Sequence, residues 1–129
     1  MAVITKYTIR QGESLAMEIP VVDENGVAVD VSTPDVTNII VTLSNNSSVI
    51  AKYSLNSMGS GWGTLLTSSN IITILATREQ TSIWETGYVK ATITVEFADL
   101  TLTYLVDDFE NSSFLQIYPS INATYTLIH

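Results

Sequence analysis

A chain of 129 residues suits a single domain and can bury enough surface to fold without covalent staples. It contains no cysteine, which excludes disulfides and thiolate metal sites. Thirteen acidic against five basic residues leave a net charge of −8, which argues against duplex nucleic acid as a partner, because phosphate binding needs clustered Lys and Arg.

No apolar run approaches the ~18 residues of a membrane span. The opening MAVITKYTIRQ is interrupted by Lys6 and Arg10 and lacks the apolar centre of a signal peptide. Charged residues make up only 14% of the chain and apolar ones 46%, so the expected surface is weakly charged and partly covered by a partner.

Ala2 to Arg10 alternates as a first strand, with Val3, Thr5, Tyr7 and Ile9 on one side. Gln11-Gly12 breaks it. From Leu15 a hairpin is expected: Leu15, Met17, Ile19 and Val21 share one face, and Val27, Val29 and Val31 share the face of the returning strand. Between them Asp23-Glu24-Asn25-Gly26 suits a tight turn with a bulge, Asp opening it and Gly taking the left-handed position. Thr33-Pro34-Asp35 interrupts, since proline cannot donate to a central ladder.

Asn38 to Ser44 and Val49 to Asn56 form a strand pair around the polar turn Asn45-Asn46-Ser47-Ser48. Ile39, Val41, Leu43, Val49, Ala51, Tyr53 and Leu55 should face in, with Lys52 and Ser54 facing out. Ser57 to Gly63, SMGSGWG, is the loosest stretch. Its Trp62 has two readings: a lid over one end of the core, or an exposed anchor for a partner or a sugar ring.

Asn70 to Ala76 is a further strand. Thr77 to Gly87 reads as one short helix, capped by Thr77 with Gln80 reaching back and stopped at Gly87, with Ile83 and Trp84 docking it on the sheets. Tyr88 to Phe97 alternates most clearly, with Val89, Ala91, Ile93, Val95 and Phe97 inward. Ala98-Asp99 turns the chain into Leu100–Val106. An acidic loop, Asp107 to Asn111, precedes two last strand-like pieces, Phe114–Tyr118 and Ile121–Ile128. Short strands with turns every 8–12 residues give an all-β sandwich with one short helix near residues 78–85. Neighbouring strands lie close in sequence, so antiparallel meanders are expected. The whole chain, 1–129, reads as one domain.

The search for chemistry finds little. The only histidine is His129, at the terminus, so no Ser–His or Cys–His system and no zinc site can be assembled. There is no phosphate-binding loop and no dinucleotide fingerprint. Asp107, Asp108 and Glu110, or Asp23, Glu24 and Asp30, offer oxygen ligands for calcium, but both sets also read as solvated turn charges, and neither has a full loop spacing. The carboxylates sit on turns and outward faces rather than in opposed pairs across a cleft, as a glycosidase requires. No catalytic residue, no metal, no cofactor and no small-molecule substrate is expected.

Three stretches carry a resemblance. They are Ile9-Arg10-Gln11-Gly12-Glu13-Ser14, the hairpin Val22-Asp23-Glu24-Asn25-Gly26-Val27-Ala28-Val29-Asp30-Val31, and Thr77-Arg78-Glu79-Gln80-Thr81-Ser82-Ile83-Trp84-Glu85-Thr86-Gly87-Tyr88. In this order they resemble the immunoglobulin-like N-terminal domain of phage baseplate upper proteins and related small phage virion structural proteins. The resemblance covers about residues 7–107 and leaves 108–129 as further strands or an arm. It implies an immunoglobulin-like antiparallel sandwich and a non-enzymatic protein of the tail, baseplate or neck, located in the virion and assembled with copies of itself and other virion proteins. The family domain usually precedes a long fibre or receptor-binding region, so this chain looks like a free-standing version.

On that reading the contacts to neighbours come from two segments: the loop with Gly61 and Trp62, and the tail. In the tail, Ile121, Ala123, Tyr125 and Leu127 alternate as a strand to be added to a neighbour's open edge. The competing reading is a carbohydrate-binding sandwich module, with Trp62, Tyr118 and Tyr125 as stacking residues.

Overall fold

The protein is described from a computed structural model that covers residues 4–23, 25–46, 48–56, 59–105 and 112–120. Within them run β1 (Ile4–Arg10), β2 (Leu15–Pro20), β3 (Val36–Ser44), β4 (Val49–Ser54), β5 (Gly63–Thr64), β6 (Leu66–Ser68), β7 (Ile71–Ala76), α1 (Arg78–Thr81), β8 (Gly87–Phe97), β9 (Thr101–Leu105) and β10 (Ser112–Tyr118). Two sheets result. The larger has the order β1-β10-β8-β3-β4-β5, with β9 also on β8; the smaller is β2-β7-β6. The runs β10-β8-β3-β4 and β2-β7-β6 reproduce the G-F-C-C′ and B-E-D orders of an immunoglobulin variable-type sandwich.

Period-two alternation places the core as expected. Met17, Ile19, Ile72 and Ile74 of the smaller sheet and Ile39, Val41, Leu43, Tyr53, Val89, Ala91, Ile93 and Val95 of the larger one are buried in one cluster. Leu65 marks where the chain leaves one sheet for the other. Its N–H donates to Ser54 O (3.1 Å), its side chain is buried, and the next residue opens β6 on the second sheet.

Connectivity corrects the meander expectation. β1 pairs with β10 in parallel, Tyr7 opposite Leu115 and Ile9 opposite Ile117. β4 and β5 are also parallel. β8 joins β3 across half the chain, with Val41 opposite Ile93. Backbone bonding and apolar burial do not depend on closeness in sequence, so alternation alone could not choose the neighbours. The same pairing settles Ser112–Tyr118 as an intrinsic strand rather than part of an arm, since Phe114, Leu115 and Ile117 are core residues. The segment Ile121–Ile128 lies outside the described residues.

Three local expectations also change. The turn after β2 forms: Gly26 has φ +79° and donates to Asp23 O at 3.0 Å. Its returning arm is no strand, because Val29 N–H donates to Val21 O while Val31 N–H donates to Ser69 O, so the arm is shared between two neighbours. Among the described residues of the arm only Val22 and Ala28 make a bridge, and Val27 is 60% exposed. The helix is a single turn. Its capping box is present, with Gln80 N–H on Thr77 Oγ1 and Gln80 Oε1 on Thr77 N–H, but Ser82 already caps its C-terminus. Trp84 then enters the core while Ile83, on the other side, is 81% exposed. Gly87 begins β8 at φ +128° instead of ending the helix. Ser54 is buried rather than outward, its hydroxyl donating to Asn56 O.

Tyr7 blocks the middle of a free edge. Its hydroxyl donates to Glu18 O at 3.0 Å and accepts from Glu18 N–H at 2.9 Å, which occupies the backbone groups of Glu18 on β2, an edge strand of the smaller sheet. Pro20 on the same strand has no N–H to offer.

Candidate functional site

The loop that carries Gly61 and Trp62 is held by the strand after it. Gly63 lies against the ring of Tyr53 so closely that a Cβ there would come within 2.5 Å of the ring. With that side of the chain pressed to the core, the neighbouring Trp62 goes to the outer side. Gly59 and Gly61, at φ +106° and +87°, supply the left-handed backbone that the approach requires.

Trp62 therefore is not a lid on the core. It lies half-buried on the outer side of β4, with Lys52 Nζ 5.2 Å from its ring centroid. The two border an open cleft of about 300 Å³ lined by Val49, Ile50, Ala51, Lys52, Ser60, Gly61 and Trp62. A cation on an aromatic face is an attractive pair that exposes charge and apolar surface together. Tyr53, beneath, keeps its proton, since burial pushes its pKa up to about 12 against a weaker opposing effect of its bond to Gln80.

A second cation–aromatic pair sits across the same sheet. Arg10 lies 5.7 Å from the Tyr118 ring centroid, and its guanidinium donates to Pro119 O at 3.3 Å. Tyr118 is 38% exposed and belongs to β10, so three strand spacings, about 14 Å sideways, and a further shift of about 20 Å along the strands separate it from the part of β4 where Trp62 lies. Trp62 and Tyr118 thus do not join into one stacking platform. Tyr125, Ile121 and Leu127, also expected at the contact surface, lie outside the described residues.

At the end of the molecule where β8 turns into β9, an open cleft of about 540 Å³ is lined by Asp35, Phe97, Ala98, Asp99, Leu100 and Leu102. Its lining is apolar apart from the two carboxylates. The sequence gives no hint of it, because Asp35 and Asp99 come together only through the pairing of β3 with β8.

The turn carboxylates are already employed. Asp23 Oδ1 accepts from the N–H groups of Asn25 and Val27, both at 2.9 Å. Asp30 Oδ1 accepts from Ser32 Oγ at 2.7 Å and Ser32 N–H at 2.9 Å; these bonds hold its carboxyl below its ordinary 3.8, the hydroxyl contributing most. Both shape the chain locally. Among the described residues no three His, Cys, Asp or Glu side chains gather where they could hold a metal ion. Asp107, Asp108 and Glu110 lie outside the described residues.

What these surfaces offer is binding: two cation–aromatic pairs on a sheet face and an apolar cleft flanked by carboxylates. Comparison with protein-family models, with curated proteins and with solved structures returns no match to this chain.

Proposed function

We propose that the chain is a non-enzymatic structural protein of a phage virion, built in several copies into a tail, baseplate or neck. One observation carries the reading. Two of the three stretches on which the resemblance rests, far apart in sequence, form a single clasp. Gly12 N–H donates to Thr81 Oγ1 at 3.0 Å, the Thr81 hydroxyl donates to Glu13 O at 2.6 Å, and Gln11 Nε2 donates to Trp84 O at 2.7 Å. Motifs that hold one another in place belong to the architecture of a domain, and a likeness in both is a likeness of architecture. The third stretch forms the turn at Gly26.

Antibodies raised against the purified protein should decorate intact phage particles at one position on the tail or neck, and mass spectrometry of washed particles should find the chain. Particles free of it would overturn the proposal. The carbohydrate-binding alternative keeps one supporting feature, the Lys52–Trp62 cleft. Glycan binding that disappears with Trp62→Ala would favour that alternative.

A further inference from the structure

Four of the five basic side chains are gathered on one surface. Lys6 and Arg10 on β1, Lys52 on β4 and Lys90 on β8 all occupy outward positions of the larger sheet, because Ile9, Tyr53, Val89 and Ala91 beside them point into the core. Among the described outward positions of these strands the one carboxylate is Glu96, at the other end of β8 from Lys90.

Register places the upper members on a diagonal across the sheet. Arg10 lies over Tyr118, Tyr88 is opposite Gln116, Lys90 is opposite Ser44, and Lys52 is opposite Thr42 and under Trp62. The line crosses β1 to β4, four strand spacings or about 19 Å sideways, while advancing about 20 Å along the strands. It has the residue types that concentrate at protein interfaces, Trp, Tyr and Arg, on the flat face of a sheet.

The end of the sandwich where β2 and β8 finish carries the opposite charge. Asp23, Asp30, Asp35 and Asp99 lie there, and the cleft floored by Phe97, Leu100 and Leu102 opens between Asp35 and Asp99. One chain therefore presents a cation beside an aromatic ring on one surface, and an apolar cleft between two carboxylates on another.

We infer that the Lys52–Trp62 pair and the basic diagonal around it dock on the Asp35–Asp99 cleft of a second copy of this chain. The ring meets Phe97, Leu100 and Leu102, and the ammonium meets the carboxylates. The net charge of −8 does not oppose this strongly, since charges beyond about 8 Å are screened at physiological salt while the contacting groups are not. The contact is heterologous: each copy that fills a neighbour's cleft leaves its own cleft open. Such a contact closes into a ring or extends as a filament, and it does not stop at a dimer. The inference stands on charge and shape and does not depend on the virion role.

Analytical ultracentrifugation of the full chain tests it. At low salt the parent should form species larger than a dimer, with association weakened on the order of tenfold or more as salt rises from about 50 to 500 mM. Two variants break opposite halves of the contact: Lys52→Ala with Trp62→Ala removes the knob, and Leu100→Arg blocks the cleft. Each alone should sediment as a monomer with thermal unfolding close to the parent's. Mixed in equal amounts they should give a 1:1 dimer and nothing larger, since only one good knob meets one good cleft. A parent that stays monomeric at low salt, or that assembles equally well with both variants, would overturn the inference. This assay contains no particle, so its outcome is separate from whether the chain is found in virions.

Discussion

The Thr81 clasp at one end of the sandwich and the aspartate turns at the other use side-chain hydrogen bonds of very different range. At the helix end the bonds join segments 68 to 73 residues apart: Thr81, fully buried, bridges Gly12 and Glu13, and Gln11 reaches Trp84. At the opposite end the two aspartates bond only two to four residues on, Asp23 to the N–H groups of Asn25 and Val27 and Asp30 to Ser32, while backbone bonds such as Val31 N–H to Ser69 O tie that end to β7. Short-range bonds cost little chain entropy and can form in an otherwise open chain. Long-range ones exist only when the sheets do. The Thr81 clasp should therefore report global folding, and the aspartate turns should open and close locally.

Mutation can break this contrast in graded steps. Ile93→Ala removes core that both ends share, and should cost about 2–5 kcal/mol in denaturant unfolding, with amide exchange accelerated throughout. Uniform loss at one end alone would contradict a shared core. Thr81→Val keeps the shape but strips the hydroxyl, leaving Gly12 N–H and Glu13 O without their partner; about 1–3 kcal/mol should be lost. Because that clasp forms only with the whole fold, the cost should appear as a lower denaturation midpoint with an unchanged slope.

Gly26→Val forces a β-branched residue to φ +79° and should cost about 1–2 kcal/mol, with Gly26→Asn milder. Here faster exchange should be confined to the Asp23–Val31 region, and spread to β1 or α1 would erase the distinction between the ends. Smallest is the acid response of Asp30. Its carboxyl titrates lower in the folded chain than in the unfolded one, so its contribution is complete above pH 3.8 and fades as pH falls through the lower folded value. Asp30→Asn should flatten that part of the stability profile slightly, as followed by thermal unfolding at stepped pH.

What the sequence discloses follows the same division. Alternation exposes the inward faces of β2, β3, β7 and β8 because burial on one side imprints a period of two. The Asp23–Gly26 turn and the Thr77–Gln80 capping box are readable because each is complete within a few residues. Ser113, Phe114 and Leu115 are buried in succession, so alternation fails there, and the parallel partner of β10 has no local mark. The cleft at Asp35 and Asp99 and the gathering of Lys52, Lys90 and Arg10 depend on which strands are neighbours. Alternation marks the outward side chains but not the strand order that brings them together. Trp62 was legible as a residue to watch; its place on the outer face follows from Gly63 yielding to Tyr53.

The parallel pairing of β1 with β10 also sets a timetable. Thr5 and Ser113, 108 residues apart, share a hydrogen bond within that pairing. A ribosome adding about 5–20 residues per second needs on the order of 5–20 s to pass from one to the other. Throughout that interval β1 has emerged without its partner, and the hydroxyl of Tyr7 on Glu18 gives it an early attachment to β2. Completion of the larger sheet waits for β10, so nascent chains stalled before Phe114 should remain sensitive to protease at β1, while chains extended past β10 should not.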